Sequence, residues 1–212
     1  MATQPRPSLT AQEYLALDRA AEFKSEFVDG IMYAMAGGSI RHSLLAAQLI
    51  ADLTAQLRGR CSVLTSDARV WTPVSGAYFF PDVSVVCGDP QTQEGSDDTL
   101  TNPCLIAEVL SPSTADYDHG KKFAHYREIP TLDIYLLIHP DKILIEHFAR
   151  QSDSHWLPPN QLIACRTRRS RLHDCLWRQY LRKSVFWTFR PWRPQFVPSC
   201  GMSFRPFSFQ SW

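Results

Sequence analysis

Two runs, Tyr78-Phe-Phe-Pro-Asp-Val-Ser-Val-Val-Cys87 and Cys104-Leu-Ile-Ala-Glu-Val-Leu110, decide how this chain is read. The first is β-branched and aromatic, and Pro81 is tolerated at the first residue of a strand, so Asp82 opens a strand over 82–87. The second is almost wholly apolar, the pattern of a strand buried on both faces, and its lone charge, Glu108, sits where such a strand does not normally accept one. An unpaired buried carboxylate costs several kcal/mol, so a cation or a lysine is expected beside it. Downstream, Asp118, Lys122 and Tyr126 recur every fourth residue and would share one helical face, whereas Lys121 lies about 100° round the helix. Two carboxylates on ordered strands plus a lysine on the next helix are the minimum set for metal-assisted cleavage of a phosphodiester: carboxylates hold a hard dication through oxygen, and the lysine orients water or offsets phosphate charge.

Working outward, Thr10 with Glu13 three residues on is a capping-box start for a short helix. Val28-Asp29-Gly30-Ile31 reads as a tight hairpin turn. Ser39 caps a helix over about 40–58, with Leu44, Leu45, Ala47, Leu49, Ile50, Leu53 and Leu57 on a broad apolar face. Strands are expected at 61–65 and 68–72, and 88–103, rich in Gly, Pro, Ser and acids, reads as a mobile surface loop. Ser111 to Thr114 offer caps for a helix over about 115–127, which Ile129-Pro130 stops. Strands at 132–138 and 143–148 follow, joined by His139-Pro-Asp-Lys142. This order predicts an α/β protein, a mixed sheet flanked by helices.

The chain has 212 residues, enough for one sizeable core and too few for two ordinary domains each with its own site. No window reaches the roughly 18 to 20 consecutive apolar residues of a membrane helix, and the first residues lack an apolar signal core, so a cytoplasmic location and no membrane partner are expected. The six cysteines form no Cys-x-x-Cys pair and no zinc spacing, which favours free thiols. The net charge of +1 hides a split: residues 157–212 hold ten of the 22 basic groups and one of the 21 acidic ones, leaving 1–156 with twelve against twenty, a net −8. An acidic body argues against a large nonspecific DNA footprint, because Lys and Arg supply most such affinity.

Beyond Trp156 the periodicity weakens while Trp, Arg and Pro accumulate; five of the six tryptophans lie at or past this point. Residues 1–156 are therefore read as one domain and 157–212 as an atypical basic tail, with a shifted reading frame, a truncated ending and a nucleic-acid-binding tail as the alternatives. A tail that adds no strand would leave the edge at 143–148 exposed, and proteolysis would then trim the chain near residue 156.

Glu26-Phe-Val-Asp-Gly30, His42, Pro81-Asp-Val-Ser-Val-Val86, Glu108-Val-Leu-Ser-Pro-Ser-Thr114, Lys122-Phe-Ala-His-Tyr126 and Leu132-Asp-Ile-Tyr-Leu-Leu-Ile138, in this order, resemble the Uma-two family of restriction-endonuclease-like bacterial proteins. The resemblance covers about residues 9 to 156 and implies a restriction-endonuclease-like core of the PD-(D/E)xK type. Asp82, Glu108 and the Val109 carbonyl would hold Mg²⁺, or Mn²⁺ in its place, Lys122 would be the catalytic lysine, and Glu26, His42 and Tyr126 would support it. The general motif puts its lysine two residues after the acid, where this chain has Leu110; in this family the lysine stands on the following helix, where Lys122 lies. A Mg²⁺-dependent DNA endonuclease is implied, with DNA as partner and a homodimer left open. The rival readings are an inactive nucleic-acid-binding or interaction module of the same fold, and a non-functional product of a damaged gene. Locally, Glu108 with Lys122 also fits a structural ion pair, Asp118 with Lys122 a surface pair, and Glu26 and His42 ordinary surface groups.

Overall fold

The computed structural model describes residues 8–142, 144–157 and 160–163, all within one compact unit. Helix α1 (Ala11–Ala20) starts on the expected capping box: Thr10 Oγ1 accepts from the Glu13 amide, and the Glu13 carboxylate accepts from the Thr10 amide at 2.8 Å. Strands β1 (Ser25–Val28) and β2 (Ile31–Ala34) form the expected hairpin. Asp29 and Gly30 both have positive φ, 52° and 77°, the backbone of the two-residue turn that matches strand twist. Helix α2 (Ile40–Leu57) begins at Ser39, whose hydroxyl accepts from the His42 amide, and packs along β3 (Cys61–Thr65), β6 (Val83–Cys87) and β8 (Leu105–Val109). It buries Leu49, Leu53 and Leu57 only; Ile40 and Leu44 stay exposed, so the apolar face is narrower than its sequence implies.

The strands form two sheets. One, ordered β2-β1-β5-β4-β7, adds β4 (Arg69–Trp71), β5 (Tyr78–Phe79) and β7 (Thr99–Leu100) to the hairpin; the other, ordered β11-β10-β9-β8-β6-β3, adds β9 (Ile134–Ile138), β10 (Leu144–Ala149) and β11 (Asn160–Ile163). β8 is flanked antiparallel by β6 and parallel by β9. A parallel neighbour requires a crossover, and that crossover is the helical segment 115–126, which therefore lies back against β8. Ile106 and Leu110, two residues either side of Glu108 and on its face, share a core with Phe123, Tyr126, Tyr135 and Phe148.

Four expectations are corrected. Residues 88–103 are not a free loop: β7 pairs parallel with β4, and Thr99 and Leu100 are buried. The crossover is not one regular helix; α3 (Ala115–Tyr117) and α4 (Phe123–Tyr126) are joined by a π-helical turn, Asp118–Lys122. The strand at 144–149 is not an exposed edge, because β11 pairs with it antiparallel, so the sheet continues past residue 156; the rest of the tail lies outside the described residues. Cys61 and Cys87, expected free, form a disulfide. They are 26 positions apart in sequence, and only the β3–β6 register sets them opposite each other. Among the described cysteines Cys104 remains free, its Sγ 3.3 Å from that of Cys87. No described helix is long and apolar enough to cross a membrane.

Candidate active site

Asp82 closes the turn into β6, and its Oδ2 accepts from the Val109 amide at 2.7 Å, which ties the head of one strand to the end of its neighbour. The Asp82 amide in turn points at Glu108 Oε2, 3.4 Å away. Glu108, inside β8, is buried; its Oε1 accepts from the Tyr126 hydroxyl at 2.9 Å and meets Lys122 Nζ at 2.8 Å. Lys122 Nζ also meets Glu26 Oε1 of β1 at 2.8 Å, with Asp118 Oδ1 farther off at 3.9 Å. His42, in the first turn of α2, meets Asp82 Oδ2 through Nε2 at 3.1 Å. Glu26, His42, Asp82, Glu108, Lys122 and Tyr126 are thus brought to one place from β1, α2, the head of β6, β8, the π turn and α4.

Neighbouring lysines take opposite sides: Lys122 is buried and Lys121 exposed. A π turn adds a residue to the helical circuit; here it carries both Asp118 and Lys122 inward, so Asp118 is a buried member of the cluster, not a surface partner. Tyr135, which gave no signal inside its apolar run, donates its hydroxyl to the Asp118 carbonyl at 3.0 Å and pins the turn from β9.

Four carboxylates (Glu26, Asp82, Glu108, Asp118) face one lysine and one histidine. The surplus of negative charge marks the acid–base properties. Burial pushes the Glu108 carboxyl up to about 8, the Asp82 and Asp118 charges reinforcing this while Lys122 opposes it. Burial alone would lower Lys122, but Glu108, Glu26 and Asp118 hold its ammonium well above the ordinary lysine value. Burial likewise raises Asp118. His42 is raised by its hydrogen bond to Asp82, with the Glu108 charge and a backbone hydrogen bond at Val109 adding to it. His42 thus lies against Asp82, one of the groups expected to bind a metal. The donors are all oxygen, which suits a hard dication such as Mg²⁺.

The fold and this constellation define a restriction-endonuclease-like core. A family model described as "Putative restriction endonuclease", Uma2, matches residues 11–171, and the chain belongs to that family. Two Synechocystis proteins, both described as uncharacterized, are similar to it: one is 41% identical over 150 residues, covering 70% of this chain and 85% of the relative, the other 39% identical over 154 residues, covering 72% and 80%. A crystal structure described as a putative nuclease belonging to DUF820, from Anabaena variabilis, superposes with a TM-score of 0.60 at 18% identity, over 73% of this chain and 84% of that one.

Proposed function

We propose that this chain is a Mg²⁺-dependent DNA endonuclease that hydrolyses phosphodiester bonds, Mn²⁺ serving in place of Mg²⁺. The observation that carries the reading is the convergence of four carboxylates around one buried lysine, with His42 standing against Asp82. Asp82, Glu108 and the Val109 carbonyl would hold the ion. Bound there, a dication polarises the phosphate and lowers the pKa of its water. Lys122 supplies the fixed positive charge that balances Glu108 and can stabilise charge growing on the phosphate. Glu26 and the Asp118 turn hold that ammonium in place, and the Tyr126 hydroxyl fixes the Glu108 carboxylate at Oε1 so that Oε2 faces Asp82. His42, once neutral, leaves Asp82 free to bind metal, and its imidazole remains at the rim as a donor or acceptor for water. The net −8 of residues 1–156 adds to the need for a bound cation before a polyanion can approach. A homodimer is the assembly to look for, since β2 turns Ile31 and Tyr33 outward.

The test is cleavage of supercoiled plasmid with Mg²⁺ or Mn²⁺, with an EDTA control. Asp82→Ala is expected to abolish cutting, because one lost ligand leaves an under-coordinated ion. Undiminished cutting by that variant would sink the reading. Wild-type protein that binds DNA yet cuts with neither metal would favour the binding-module alternative.

A further inference from the structure

A second convergence of side chains lies where the π turn meets the β9–β10 hairpin, and the nuclease chemistry does not use it. His119 and His139 both direct Nε2 at one oxygen, Glu146 Oε1, at 2.8 and 2.6 Å, and the three ligand atoms lie within 4.8 Å of one another. His119 comes from the π turn, His139 follows β9, and Glu146 sits in β10 opposite Leu137; the His139 amide closes the hairpin on the Leu144 carbonyl at 3.1 Å. The ring of His119 is already oriented: Nδ1 is 2.6 Å from the Ala115 carbonyl, so it carries the proton, and Nε2 presents a lone pair whenever the ring is neutral. A histidine whose far nitrogen is fixed by a backbone carbonyl is the usual arrangement of a metal ligand. His139 Nε2 approaches the same carboxylate oxygen, so two imidazole nitrogens and one carboxylate from three separate segments converge on a point where one cation would be held by all three.

We propose that His119, His139 and Glu146 form a binding site for a divalent transition metal, separate from the Asp82–Glu108 cluster. Two imidazoles and one carboxylate select Zn²⁺, Co²⁺ or Ni²⁺ over Mg²⁺. Bond lengths of about 2.0 to 2.2 Å would set tetrahedral ligand atoms about 3.3 Å apart, so the contacts at 2.8 and 2.6 Å need open by about 0.5 and about 0.7 Å to admit an ion. The side chains are 35%, 19% and 13% exposed, enough for entry and for a solvent molecule in the remaining position. An ion here would clamp the turn that carries Lys122, three residues after His119, to β9 and β10. The site stands independently of the nuclease reading.

The full chain, stripped of metal with a chelator, is titrated with Co²⁺ above pH 7 and followed by visible d–d absorption, with Zn²⁺ competition and thermal unfolding as second readouts. One equivalent is expected to bind without a sulfur charge-transfer band, to persist in Asp82→Ala, and to raise the unfolding temperature. Glu146→Gln is expected to weaken it 10- to 100-fold, and the His119→Ala/His139→Ala double variant to abolish both the band and the thermal shift. An unchanged spectrum and affinity in either variant overturns the proposal, as does wild-type protein that binds no Co²⁺ below 1 mM or binds it only through sulfur. Should the double variant misfold, Glu146→Gln and the single His139→Gln decide between the outcomes.

Discussion

Among the described residues charge is buried in two places, and they are built on opposite terms. Around Arg69 of β4, Asp18 at the end of α1 and Asp98 before β7 pair with the guanidinium, Arg19 also reaches Asp98, and the Ser25 amide and hydroxyl donate to Asp18. Two arginines meet two aspartates. Around Lys122, four carboxylates share one lysine and one histidine. The first cluster joins α1 to β1, β4 and the start of β7 and is electrically complete. The second is left short of positive charge at the place where β6, β8, β1 and the crossover meet. Uncompensated buried charge is costly to fold; under the proposed function the unbalanced cluster is the place for a cation, whereas the balanced one holds elements together.

The largest expected effect breaks the comparison at its single lysine. Lys122→Ala is expected to reduce Mg²⁺-dependent DNA cleavage by at least about 10³-fold, while Lys121→Ala, on the exposed side of the same turn, changes it by less than about twofold. Parallel plasmid assays on variants checked for folding by circular dichroism decide this; equal losses would mean that the turn presents the wrong residue. Next in size is Arg69→Ala, which strands the buried Asp18 carboxylate and is expected to cost about 3 to 5 kcal/mol in denaturant unfolding. Lys122→Ala is expected to cost less stability than that, because Glu108, its carboxyl already pushed up to about 8, holds a proton at neutral pH and is not left as a stranded charge.

The smallest effect sharpens the contrast through its sign. Asp98 is held below the ordinary carboxylate value: burial opposes this, but hydrogen bonds from Ser96, Thr99 and Arg19 and the Arg69 charge outweigh it. Its stabilisation is present above the unfolded value of 3.8 and is lost as pH falls through the lower folded value. Asp118 is raised above 3.8, mainly by burial, so the folded state disfavours its charge and the penalty grows as pH rises past 3.8. Asp98→Asn is therefore expected to destabilise by about 1 kcal/mol at pH 7, and Asp118→Asn to stabilise by a similar amount, both differences shrinking toward pH 3. Unfolding midpoints of the two variants at pH 3, 5 and 7 check it; the same sign for both would remove the distinction between the clusters.

Much of the site was legible because its residues violate their surroundings. Glu108 is a charge in an apolar strand, and Asp82 follows a proline at a strand head; the i, i+4 spacing of Asp118, Lys122 and Tyr126 selected the inward lysine correctly even though the segment is not a regular helix. Asp118 itself was misjudged, since an i, i+4 acid–lysine pair looks the same in sequence whether solvated or buried. The hairpin turn and helices α1 and α2 followed from caps and from Asp-Gly, which act within four residues. Nothing local announced the Cys61–Cys87 disulfide, the docking of 98–100 on β4, the closing strand β11, or the meeting of His119, His139 and Glu146.

By itself the sequence determined the β1–β2 hairpin, strands β3, β4, β6, β8, β9 and β10, the caps and the identity of the chemical groups, because periodicity and short-range hydrogen bonds are properties of neighbouring residues. Tertiary structure alone decided which charges are left unbalanced. That depends on a parallel β8–β9 pairing whose crossover folds back over Glu108, and on β1 and α2 delivering Glu26 and His42 from 82 and 66 positions earlier in the chain than Glu108. Electrostatic energy sums over distance in space, and no local pattern along the chain records that sum.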